Sequence, residues 1–226
     1  MLGGDMLQVR QVSNAVANPS INLDYSNNEY DAIQAHGIEY LYHMTHIKNL
    51  PSILEKGLLS HNQAHKQCTL VDISNQAVNA RRANKYPVDG ISLHNYVPCY
   101  FAAKNPMSSK LRNYANEMVI LKINPEILYL KGMIFSDGNA ASCQTKFYNK
   151  LRKLNELNWA CLQGYWKGFE DGSRLRCAEV LIPERIGTEH IEQIAVNSRE
   201  SYFDVLQLTA TDIDVVRNAA LFFRKS

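Results

Sequence analysis

The chain has 226 residues, a formal net charge of +2 and 46% hydrophobic residues, enough for one large domain that buries a full core without disulfides or metals. The near-neutral balance excludes bulk charge as a reason to bind nucleic acid and leaves only a local basic stripe for that purpose. The five cysteines are odd in number, scattered and never in a CxxC pair, which argues against a disulfide framework or a structural zinc site and for a reduced, cytoplasmic setting.

Residues 1–38 are polar and rich in Asn and Ser. They read as an N-terminal extension, with a helix near residues 30–36 and no assignable chemistry. Residues 40–63 are the most informative stretch, predicted as strand, polar turn, helix and helix stop. Ile47, Leu50, Ile53 and Leu54 recur at helical spacing, Pro51 sits early in that run, and Gly57 ends it. His43, Thr45 and His46 thus fall where a strand hands over to a helix, a place where polar side chains and free N–H groups face ligands. Residues 72–83 suggest a short helix carrying Arg81 and Arg82 at its end. Residues 96–101 are aromatic and β-branched, a strand that Pro98 confines to an edge or bulge. His94 precedes it as a lone imidazole, a weak site signal by itself.

Residues 107–116 read as helical. The run Met118, Val119, Ile120, Leu121, Ile123 suits a buried central strand, and residues 133–137 suit another short strand. From residue 145 to 166 the apolar spacing reads as helical (Phe147, Leu151, Leu154, Leu157, Trp159, Leu162, Tyr165). Glu179 lies in the next predicted strand between Ala178 and Val180, an expensive place for a carboxylate unless it faces solvent or a polar pocket. Residues 191–196 and 202–208 read as a strand and a helix, and residues 212–223 as a final amphipathic helix.

No apolar run of about 20 residues and no leader segment is visible, so a membrane span or secretion is not expected. GxGxxG, GxxxxGK[ST], HExxH and GxSxG are all absent, which lowers nucleotide-loop, zinc-hydrolase and α/β-hydrolase readings. His43 and His46 have metal-like spacing, but no Cys or carboxylate lies close by in sequence, and no metal is expected.

The ordered stretches YHMTHIKNLPSIL and KGLLSHNQ, then ARR, LHNYVPCYFAAKNPM, LNWACLQGYW and AEVLIPERI together resemble the DarT family of NAD-dependent DNA ADP-ribosyltransferase toxins. The resemblance runs from about residue 40 to 206. It implies that residues 39–226 form an α+β ADP-ribosyltransferase fold, with two packed curved sheets forming an NAD cleft between flanking helices. Matched by motif, His43, Met44, Thr45, Ser52, Leu59 and Arg82 contact NAD, and Glu179 and Arg82 are catalytic. The resemblance also implies single-stranded DNA as acceptor, modified on thymine or guanine, and a cognate antitoxin that binds the toxin or reverses its mark. Trp159, Tyr165, Trp166, Lys167 and Arg174 are candidates for the DNA surface, because aromatic platforms with a few cations hold single strands without a large net charge. Two residues before Glu179, where many protein-modifying relatives carry Gln or Glu, this chain has Cys177. RNA or protein acceptors, and a non-catalytic binding module, are the alternatives.

Overall fold

A computed structural model describes residues 32–87 and 90–224. Its strands are β1 (Leu41–His46), β2 (Leu58–Leu59), β3 (Tyr96–Tyr100), β4 (Met118–Ile123), β5 (Ile134–Ser136), β6 (Phe147–Tyr148), β7 (Glu179–Pro183), β8 (Arg185–Ile186), β9 (Ile191–Val196) and β10 (Asp214–Arg217). The helices are α1 (Leu50–Lys56), α2 (His61–Gln67), α3 (Gln76–Ala83), α4 (Pro106–Lys110), α5 (Trp159–Gln163), α6 (Gly172–Leu175) and α7 (Arg199–Leu208). The unbroken apolar run at 118–123 does become an interior strand. β4 lies between β1 and β9 in an eight-stranded sheet of order β10-β9-β4-β1-β3-β7-β5-β6, and β2 and β8 form a separate ribbon. Strand alternation gives β4 two apolar faces. Val119, Leu121 and Ile123 join the larger core under α1 and α7, whereas Met118 and Ile120 pack with Met44, Ala195 and Phe222.

β1 pairs with β3 at a single register position, Tyr42↔Tyr100. β3 is therefore interior, between β1 and β7, and not at an edge as its proline suggests. Pro98 pairs on one side with Leu181 of β7. On the other side β1 has splayed away, so the missing N–H costs no ladder bond, and the His43 ring donates from Nδ1 to the Pro98 carbonyl at 2.8 Å.

Two more expectations change. Residues 145–166 are not one helix but β6, a 3-10 turn at Leu151–Glu156 and the short α5. Leu151, Leu154 and Leu157 recur every third residue, the 3-10 period, and all three are buried. Residues 212–223 are not a helix. The β-branched pair Val215–Val216 adds parallel to β9 as β10, and Ala219–Leu221 is a 3-10 turn. Among the described residues no helix is long and apolar enough to cross a membrane, and all five cysteines are free thiols. The expected N-terminal helix is seen over residues 32–35, followed by a turn at 36–37; residues 1–31 lie outside the described residues.

Candidate active site

β1 and the chain that follows it build one wall of a cleft of about 580 Å³, and β3, β7 and α3 build the other. Glu179 opens β7 with 1% of its side chain exposed, so it is neither an edge nor a surface residue. Both its oxygens are held: Oε2 accepts from Arg82 Nη1 at 2.8 Å, and Oε1 accepts from the Ala140 backbone N–H at 2.9 Å. Its own N–H donates to Ser136 Oγ at 3.1 Å. Arg82 stands at the end of α3, 97 positions away in sequence, which no local pattern announces. Burial works against its charge, but the Glu179 carboxylate, helped by Tyr100, more than offsets this and holds the guanidinium above its usual pKa. Arg82 Nη2 is buried without a hydrogen-bond partner. A charged donor in that state is a costly feature unless a ligand completes it.

His43, Met44, Thr45, Ser52 and Leu59 all line this cleft. His43 is neutral: burial lowers its pKa, and its donation through Nδ1 to Pro98 leaves Nε2 as an acceptor. His43 and His46 point to opposite faces of β1, as strand alternation dictates. His46 instead accepts from Lys48 N–H and lies 3.5 Å from Glu117, so the two imidazoles share no metal.

The aromatic and basic candidates separate. Trp159 is structural. It donates to the Leu154 carbonyl at 2.7 Å, stacks on His36 at 4.4 Å and meets Phe101 edge-on. Arg174 is also spoken for, paired with Asp137 at 2.8 Å and Asp171 at 2.5 Å; it ties α6 to the 137–145 loop and lines the cleft with its charge neutralised. Trp166 and Lys167 line a second hollow with Phe169 and Gly172, and this hollow adjoins the cleft at Asp171 and Ser173. Tyr165 beside it is 72% exposed.

Gly172 is required here, since a Cβ would lie 1.8 Å from the Trp166 carbonyl oxygen. Gly172→Ala is expected to displace residues 166–171 and to accelerate tryptic cleavage after Lys167. An unchanged cleavage rate would show that the loop tolerates the methyl group.

Sequence reasoning missed several residues at the site. His61 stacks between His65 at 4.1 Å and His94 at 3.9 Å, and Asn79 bonds both His61 and His94. His61, His65 and Asp72 bring three potential metal-ligand atoms within 4.8 Å of one another, with His65 and Asp72 exposed. Lys85 donates to the Ser142 carbonyl in the loop that clamps Glu179. Cys177, burial having pushed its thiol up to about 12, is a neutral group in the cleft. Only the histidines and Lys85 carried a residue-type signal; the Ala140 N–H carried none.

Burial also lowers the pKa values of His61 and His94. Below an unfolded value of about 6.5, the unfolded chain takes up protons at His43, His61 and His94 that the folded chain refuses. Stability is therefore expected to be level above about pH 6.5 and to fall as pH drops through that value. Unfolding midpoints measured from pH 8 to pH 5 check this; a midpoint that rises on acidification contradicts it.

The family model for single-stranded-DNA thymidine ADP-ribosyltransferase, DarT, matches residues 42–223. The chain belongs to the DarT family. It is accordingly a DNA ADP-ribosyltransferase. Its relatives include a DNA ADP-ribosyl transferase of Thermus sp. 2.9, 29% identical over 179 residues, covering 74% of this chain and 86% of that protein. A DNA ADP-ribosyl transferase–DNA ADP-ribosyl glycohydrolase fusion protein of Thermosipho africanus is 30% identical over 191 residues, 81% of this chain. The chain spans about half the length of that fusion, 49%. In structure it matches Thermus sp. 2.9 DarT in complex with ADP-ribosylated single-stranded DNA, with a TM-score of 0.74, 27% identity and coverage of 82% of this chain and 97% of that one. The NAD⁺ complex of the same DarT matches with a TM-score of 0.70 at 27% identity, covering 83% and 98% of the two chains. The α+β ADP-ribosyltransferase fold implied by the sequence is thus the fold observed, with the strands on both sides of the β1–β3 pairing hydrogen-bonded into one sheet.

Proposed function

We propose that the chain transfers ADP-ribose from NAD to a thymine base in single-stranded DNA and releases nicotinamide. The observation that carries this reading is the buried Glu179–Arg82 pair, which sits on a cleft large enough for a dinucleotide and leaves Arg82 Nη2 open for a ligand. In the proposed reaction the bond from the ribose C1′ to the nicotinamide nitrogen breaks, and nicotinamide leaves with the electron pair. Positive charge develops on the ribose, and the fixed Glu179 carboxylate stabilises it most strongly in the transition state. A ring nitrogen of the base then bonds to C1′, and its proton passes to Glu179. His43, Met44, Thr45, Ser52 and Leu59 hold NAD, and Arg82 neutralises negative charge on the dinucleotide or polarises the acceptor base.

The base must be reached edge-on, which suits an unpaired strand. The Trp166–Lys167 hollow with exposed Tyr165 beside it offers the stacking surface. Trp159 and Arg174 drop out of that role. Thymine is favoured over guanine by the family description. The fused glycohydrolase of the Thermosipho relative supports a partner that removes the mark, and hence a toxin–antitoxin pair in the cytoplasm.

Mass spectrometry of short oligonucleotides after incubation with NAD tests this. An added ADP-ribose mass on thymine-containing single strands alone is expected. A shift on thymine-free strands moves the acceptor to another base. NAD consumption without any DNA product overturns the reading.

A further inference from the structure

Asn49 occupies the N-cap position of α1, where an Asn side chain ordinarily bonds the first free N–H groups of the helix. It does not do so here: its backbone is already helical, and its side chain makes no cap bond. Instead Nδ2 donates to Thr45 Oγ1 at 3.0 Å and to the Val71 carbonyl at 3.0 Å, and Oδ1 accepts from Val71 N–H at 2.8 Å. Every polar atom of this 9%-exposed side chain is used. Ser52 donates separately to the Asn49 backbone carbonyl at 3.0 Å, a bond that any residue at position 49 would receive.

These bonds fix which way two cleft hydroxyls face. The Thr45 oxygen accepts from Asn49, so its O–H proton is left to donate into the cleft. The Ser52 proton is used on Asn49, so Ser52 offers the cleft only lone pairs. We propose that Asn49 is a positioning residue whose side chain sets the hydrogen-bond polarity of Thr45 on the cleft floor, making it a donor toward a ligand acceptor such as a carbonyl oxygen. Through Val71 it also ties that floor to the segment that leads into α3 and Arg82. This inference rests on the NAD reading above and adds to it how the dinucleotide's polar groups are told apart.

The test compares Asn49→Asp with Asn49→Ala. An Asp side chain keeps the bond from Val71 N–H but confronts Thr45 with an acceptor, so the Thr45 proton turns to it and is lost to the ligand. An Ala side chain loses all the Asn49 side-chain bonds yet leaves the Thr45 proton free. Polarity-setting therefore predicts weaker NAD binding by N49D than by N49A. N49D is expected to raise the NAD Kd about tenfold or more, in line with one buried donor reversed. Asp also sets a carboxylate oxygen against the Val71 carbonyl that Nδ2 serves, so the excess loss of N49D over N49A is measured again in a Thr45→Val background. Action through the Thr45 proton predicts that the excess disappears there, and a purely structural role predicts that it persists. Calorimetric NAD affinities, read well below each variant's unfolding midpoint, decide between them.

N49D binding NAD as tightly as N49A, or more tightly, overturns the proposal. Should N49D not fold, the cycle of Asn49→Ala and Thr45→Val carries the test. Coupled losses, smaller in the double variant than their product, support it, and losses that simply multiply overturn it. Failure of the wild-type protein to bind NAD at all is a distinct result, which sinks the proposed function and this inference with it.

Discussion

Glu179→Gln is expected to lower the rate of ADP-ribose transfer by about 10²–10⁴-fold, the range for removing a group that both stabilises developing charge and moves a proton. The amide is isosteric and keeps one acceptor oxygen, so it still satisfies either Ala140 N–H or Arg82, which the native carboxylate satisfies together. In either orientation the amide NH2 meets the other donor and the buried Arg82 charge loses its counter-charge, so stability should fall by about 3–5 kcal/mol. NAD binding should survive, because the carboxylate acts mainly in the transition state. Single-turnover assays on a thymine oligonucleotide, with NAD affinity measured in parallel, separate the two effects. A folded E179Q enzyme retaining a tenth or more of the wild-type rate would remove Glu179 from the chemistry.

Arg82→Met should also cost the fold heavily. The two side chains are 13% and 1% exposed, so deleting the guanidinium strands a buried carboxylate whose remaining partner is the Ala140 N–H. Breaking a buried pair from one side typically costs about 3–5 kcal/mol. Removing both charges is far milder, and the Arg82→Met, Glu179→Gln double variant should recover most of that loss. Denaturant unfolding of the four proteins measures this directly. If the double variant is as unstable as the sum of the singles, the pair is not the coupled unit described here. All the variants should be inactive, so the cycle isolates stability from catalysis.

These two residues also show how much could be read before folding. Glu179 was legible as a carboxylate in an apolar strand, and Arg82 only as one of two adjacent arginines with an ordinary surface alternative. The family resemblance named both as catalytic, and their 2.8 Å contact came only with the structure. The Arg174 charge looked like a DNA contact although Asp171 stands three residues before it; its second partner, Asp137, is 37 positions away, and only the structure shows that both acids close on it. Trp159 looked like a stacking platform because His36 and Phe101, which cover it, come from distant segments.

The sequence by itself determined the elements whose apolar pattern is dense and local: β1, the helix after it, β4 and β9, together with the strand-to-helix handover that places His43 and Thr45. Such patterns report burial, and burial of a continuous run leaves little choice of conformation. The tertiary structure alone decided the rest. It made residues 214–217 a strand because β9 had an open edge to offer. It made Pro98 tolerable inside a sheet because β1 splays away there. It turned Asn49 from a helix cap into a three-bonded anchor because Val71 passes within reach. In each case the energy that settles the conformation comes from a partner far away in the chain, and a one-dimensional pattern carries no record of that partner.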